Sequence, residues 1–129
     1  MAGTAEQLST LRDHLLRLHK TLLDSERAAY ERAYGRVESS GEWLQIVLSH
    51  EHFGWLRPFS GLIVRIDEWL ADKERPADEL DALWKEVERL TALSASTEER
   101  AVRYRRAIDR SPDAAVAHAA VHAVLDAAR

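Results

Sequence analysis

The chain contains no cysteine, which removes disulfide staples, thiolate metal sites and a cysteine nucleophile from consideration. Its 129 residues include only three prolines and five glycines, so helices can run far between breaks and the few breakers mark their ends. No purely apolar run exceeds four residues, far short of the roughly 20 that a membrane-crossing helix needs. The opening residues lack a basic region followed by an apolar block, so no secretory leader is expected. Gly-x-Ser-x-Gly, Gly-x-Gly-x-x-Gly and His-Glu-x-x-His are all missing, which leaves serine acyl transfer, phosphate cradling by a glycine loop and zinc hydrolysis without their usual residues. No segment alternates β-branched with polar residues, so no strand is expected. What is present is 46% apolar and 31% charged residues with a formal net charge of −4. That composition supplies a core, and the length suits one domain spanning residues 1–129, soluble and cytoplasmic.

Helical periodicity dominates. Leu8, Leu11, Leu15, Leu18 and Leu22 are spaced 3, 4, 3 and 4, one stripe of a long first helix. Leu16, Leu23, Tyr30 and Val37 repeat every seven and suggest a second stripe beside it. Asp13, Lys20 and Arg27 fall on the wet side. Gly35 and Ser39-Ser40-Gly41 end this helix. Ser39 with Glu42 reads as a capping box opening a second helix, Trp43-Leu44-Gln45-Ile46-Val47-Leu48, which is apolar nearly all round and is expected to break near Ser49. Pro58 marks the next boundary, and from Phe59 the residues Leu62, Ile63, Ile66, Trp69 and Leu70 share one arc until about Arg75-Pro76. Leu80, Leu83, Trp84, Val87, Leu90 and Leu93 carry the next stripe. Ser96 with Glu99 reads as another capping box, and Ser111-Pro112 as a cap with proline at the first position of a final alanine-rich helix. The fold class expected is all-α, a bundle of about five helices with the longest at the N-terminus.

The stretch Phe53-Gly54-Trp55-Leu56-Arg57-Pro58-Phe59-Ser60, continuing through Gly61 to Glu68, resembles a segment of small uncharacterised bacterial all-helical proteins. Leu18-His19-Lys20 and Ala117-His118-Ala119-Ala120 are similar to the same group. The resemblance implies a bacterial, all-helical, single-domain protein and carries over no activity and no site.

The residues able to do chemistry are few. Ferritin-like metal sites need Glu-x-x-His pairs, and none occurs here; His50-Glu51-His52 has two imidazoles pointing in different directions on a helix. His118 and His122, four apart with Asp126 a further four on, are weak metal candidates, expected on a solvated flank of the last helix. His19 is expected at a buried edge, bonded to a neighbouring helix. His50 either shares an aromatic stripe or stands in the first turn after the Ser49 break. Arg57, Arg65 and Asp67 lie among apolar residues, where each charge needs a carboxylate, a carbonyl or a route to water. Trp43, His50, Phe53, Trp55, Arg57 and Arg65 together form the candidate ligand site, an aromatic pocket with a cationic lip suited to a small anionic molecule.

Charge is unevenly spread. Arg100 to Arg110 holds five arginines and one aspartate, net +4, with Arg103, Arg106 and Arg110 on one face; Asp67 to Glu99 holds eleven acids and four bases, net −7. The two blocks are expected to meet, within the bundle or between subunits. With a sequence pI near 5.9, nucleic acid is disfavoured as a partner. The reading is a non-enzymatic interaction or regulatory module with no cofactor, partnered by another protein or by itself as a homodimer. The alternative is a small-molecule- or metal-binding bundle built on the aromatic pocket.

Overall fold

The computed structural model describes residues 3–128 as six α-helices and one 3-10 segment, with no strand among the described residues. They are α1 (Ala5–Tyr34), α2 (Ser40–Ser49), the 3-10 segment Glu51–Leu56, α3 (Arg57–Ala71), α4 (Ala77–Leu90), α5 (Glu99–Arg110) and α6 (Pro112–Ala127). The fold is all-α with a long N-terminal helix, as the periodicity requires, and has six helices where about five were expected. No helix is long and apolar enough to cross a membrane.

Helix α1 is opened by a capping box. The Thr4 hydroxyl accepts from the Gln7 N–H at 3.2 Å, and the Gln7 side-chain carbonyl accepts from the Thr4 N–H at 2.8 Å. Thirty residues at 1.5 Å each make it about 45 Å long. It ends at Gly35, whose φ of 100° is open to glycine and strained for other residues. All five stripe leucines are fully buried. Each such burial contributes roughly 1.5–3 kcal/mol, so the stripe holds the helix in place. The second stripe forms in part: Leu23 and Tyr30 are half-buried against the core and Val37 is buried beyond the helix end, but Leu16 is 42% exposed. A repeat of seven drifts about 20° per step against 3.6 residues per turn, so it cannot hold one line along a straight helix.

Helix α1 packs most extensively on α6 and next on α3; α4 covers α3, α5 leans on α6, and the 3-10 segment is wedged among α1, α3 and α5. One hydrophobic cluster takes buried side chains from every one of these elements except α2. Arg12 clamps α1 to α3 through both carboxylate oxygens of Asp67, at 2.8 and 3.1 Å.

Local signals set most boundaries. The Ser39 hydroxyl caps α2 by accepting from the Glu42 N–H at 3.1 Å, while the Glu42 carboxylate turns back one residue further, to the Glu38 N–H. The chain breaks after Ser49 as expected, but the cap of the following 3-10 segment is His50, whose Nδ1 accepts from the His52 N–H at 3.1 Å. Pro58 sits in the first turn of α3, where its missing N–H costs nothing, so α3 begins at Arg57. It stops at Ala71, short of Arg75-Pro76. The Ser96–Glu99 box does not form; the Ser96 hydroxyl accepts from Glu98 instead, and Leu93 lies past the end of α4, 52% exposed. Ser111 and Pro112 open α6 as expected, with the Ser111 hydroxyl accepting from the Ala114 N–H.

Candidate functional site

The six residues expected to form an aromatic pocket are distributed differently. Phe53 is fully buried and meets the Trp43 ring edge-on at 5.2 Å between centroids; Trp55 is 7% exposed and stands edge-on to Phe59. These rings fill space in the core. Trp43 is half-buried and covered by the Arg27 guanidinium, 4.8 Å from its ring centre. His50 caps the 3-10 segment and takes the edges of Tyr30 and Tyr34. Arg57 donates to the carbonyls of His50 (2.8 Å) and Val47 (3.3 Å), so its charge serves the open C-terminal end of α2. Arg65 is exposed on α3 and acts electrostatically on Glu86 of α4, apart from the other five. The structure therefore brings Trp43, His50, Phe53 and Arg57 into one neighbourhood around α2, and none of the clefts described among residues 3–128 is lined by them.

The exposed side of that neighbourhood is α2 itself. Trp43, Ile46, Val47 and His50 are its half-buried face, and no residue of α2 is buried. Gly41, Leu44, Gln45 and Leu48, spaced 3, 1 and 3, make up the opposite face and are all exposed, Leu44 at 57% and Leu48 at 64%. A ten-residue helix thus carries two leucines in water one turn apart on its outer face, where Leu16 and Leu93 are exposed singly.

A second constellation was not anticipated. Glu26 of α1 is 4% exposed, and its carboxylate is met by Arg110 of α5 at 2.8 Å and by His52 Nε2 of the 3-10 segment at 2.9 Å. The His52 contact is close without being aligned as a hydrogen bond. Beside it, Arg103 donates to the His52 carbonyl at 3.4 Å and pairs with Glu99 one turn away. These groups line a cleft of about 160 Å³ together with Ala29 and Arg106. The signal for Glu26 was present in the sequence: it stands four residues after Leu22, at the next position of the buried stripe. A carboxylate there must find a cation, and Arg103, Arg106 and Arg110 on one face were the available ones.

The two histidines of α6 form a third group. They were expected on a solvated flank, but α6 buries Ala114, Ala117, Val121 and Leu125, and the turn of the helix sets His118 and His122 against Tyr104 and Thr91. Tyr104 Oη lies 2.6 Å from His118 Nδ1, and His122 Nε2 lies 3.0 Å from both the carbonyl and the hydroxyl of Thr91. The Thr91 hydroxyl donates to the Val87 carbonyl, so His122 is the donor and carries its proton on Nε2. The rings are 4.3 Å apart. Burial, and then the neighbouring His122, push His118 down to about 4. Burial likewise pushes the Tyr104 phenol well above its usual value. Among the described residues, no three His, Asp or Glu side chains gather so as to hold a metal ion. His19, half-buried on α1, is also lowered by burial, with no bond to a neighbouring helix among the described residues.

The acidic and basic blocks meet in part, where Arg103 pairs with Glu99 and Arg100 acts electrostatically on Glu86, but arginines of α5 also bond backbone oxygens. Arg100 donates to the Leu90 carbonyl and Arg105 to those of Ser94 and Ser96, so two arginines of α5 hold the chain end of α4 and the connection after it through backbone oxygens. On α4, Glu86 pairs with Arg89 of the same helix, which holds its carboxyl below the usual range. No family profile, no curated protein and no solved structure matches this chain.

Proposed function

We propose that this chain is a small, soluble, cytoplasmic interaction module, without enzymatic activity, that self-associates as a homodimer through α2. The observation that carries this reading is the solvent-exposed pair Leu44 and Leu48 on a helix with no buried residue. The main apolar stripe of α1 is consumed inside the chain: its five leucines are fully buried. Other large apolar side chains are exposed singly, among them Leu16, Val64, Leu93 and Val116, whereas Leu44 and Leu48 stand one turn apart on one face of α2.

A second copy suits that face. Two α2 helices laid antiparallel would set Leu44 of one beside Leu48 of the other about a twofold axis, the self-complementary arrangement of a symmetric dimer. Gly41 and Gln45 on the same stripe add little bulk, and Glu38 and Glu42 at the start of α2 would approach Arg57 at the partner's C-terminal end. The helix dipoles would also oppose favourably. A face one short helix wide buries less than a standard interface, so the dimer should be weak and dilutable.

The test is sedimentation velocity over a wide concentration range on the wild type and on the double substitution Leu44→Glu with Leu48→Glu. The wild type should shift from monomer toward dimer as concentration rises, and the variant should stay monomeric with unchanged helicity. A wild type that remains monomeric at high micromolar concentration, or a variant that dimerises equally well, overturns the reading.

A further inference from the structure

The arginines beside Glu26 outnumber what that carboxylate needs. Arg103, Arg106 and Arg110, spaced 3 and 4 along α5, present three guanidiniums to one cleft of about 160 Å³, whose buried acid is the single residue Glu26. Arg110 uses one nitrogen on Glu26 and is half exposed, so most of its five N–H donors remain unspent. Arg103 is partly committed to Glu99 and to the His52 carbonyl. Arg106 is exposed and makes no hydrogen bond or ion pair among the described residues. With Arg110 paired to Glu26 and Arg103 to Glu99, Arg106 is the guanidinium left without a counter-charge, and an added anion would relieve its repulsion with the other two.

We propose that this cleft binds a single tetrahedral oxyanion, either inorganic phosphate or the phosphoryl group of a small phosphate monoester, held by Arg106 and Arg110 with Arg103 at its side. Planar guanidiniums with paired N–H donors match phosphate oxygens two at a time. Glu26 acts as a positioning residue: fixed on the buried stripe of α1, it anchors one nitrogen of Arg110 and leaves the rest of the fork for the ligand. Ala29, a small side chain one turn along α1, keeps the concavity open. The neighbouring cleft on the other side of Arg103 is different in kind. It is lined by Glu51 and Glu99 as well as Arg100 and Arg103, so its charges cancel and it offers an anion nothing.

Isothermal titration at constant ionic strength, with chloride as the balancing salt, tests this with inorganic phosphate and with phosphoserine as probes. The wild type should bind at least one of them saturably at one equivalent per chain. Arg106→Ala should weaken that binding at least ten-fold, and Arg106→Lys should fall between the two. Arg36→Ala, an exposed arginine of the α1–α2 connection, should bind as the wild type does. Stronger binding of phosphate identifies the free ion as the ligand; stronger binding of phosphoserine identifies a phosphorylated small molecule. Both uphold the site. Because Arg106 is exposed and unbonded, its alanine variant should keep the wild-type helicity and urea midpoint, so a loss of binding is not a loss of fold. Absence of saturable binding with either probe, or equal affinity in Arg106→Ala, overturns the proposal.

Discussion

Tyr104 and His118 are joined by a 2.6 Å contact between the phenol oxygen and Nδ1, partly buried between α5 and α6. The phenol is held protonated and donates, so His118 is the acceptor and is neutral, with its own proton on Nε2. Its pKa of about 4 in the folded chain lies below the 6.5 of a free imidazole. The unfolded chain therefore binds more protons between those values, and the stability tied to neutral His118 is complete above about pH 6.5 and declines as pH falls toward 4. Burial lowers His19 as well, so the informative quantity is a difference. The gap in urea midpoint between the wild type and His118→Gln should be widest near neutrality and should narrow below pH 6. Parallel curves would show that the imidazole is not what senses the proton.

Leu15 and Leu16 are chain neighbours with opposite roles: the first is fully buried in the core and the second is 42% exposed. Leu15→Ala removes buried methyl groups and leaves a cavity, which costs about 2–5 kcal/mol. Leu16→Ala removes surface already half wet and improves helix propensity slightly, so its effect should stay within about 0.5 kcal/mol. Denaturant unfolding of the two variants should show one large loss and one near-silent change. Similar losses would mean that the outer side of α1 is covered by something in solution, for which a second copy is the first candidate.

The contrast between these leucines also shows what the sequence could reveal. A stripe spaced 3 and 4 matches the true period of a helix, so its burial was legible directly from Leu8 to Leu22. A stripe spaced by seven matches only a supercoil, and it misplaced Leu16. Caps were legible where one side chain meets the expected backbone N–H, as at Ser111, and less so at Ser96, whose hydroxyl takes the Glu98 N–H instead. The candidate site was harder to read. Aromatic residues near Trp43 signalled a pocket, yet rings that pack edge-on fill the space they would line. Glu26 went unremarked because its significance depends on Arg110, which lies 84 positions away. Long-range pairing of that kind follows from how α5 docks against α1, and no local pattern encodes it.

Glu26 and Arg110 are an unequal pair, because the carboxylate is 5% exposed at its side chain and the guanidinium 50%. Arg110→Ala strands a buried carboxylate with only the misaligned His52 contact beside it. Glu26→Gln instead leaves an arginine that can swing into water. Removing the buried group's partner should therefore cost more, about 2–3 kcal/mol against about 1 kcal/mol, below the full cost of breaking a wholly buried pair because Arg110 is half solvated. Combining the two changes should recover much of the Arg110→Ala loss, since a neutral amide no longer requires a cation, whereas independent sites would simply add. Urea midpoints for both single variants and the double variant measure this directly. If Glu26→Gln proves the more damaging single change, or if the double variant equals the sum of the singles, then Arg110 is not what makes the buried carboxylate tolerable, and that role passes to His52.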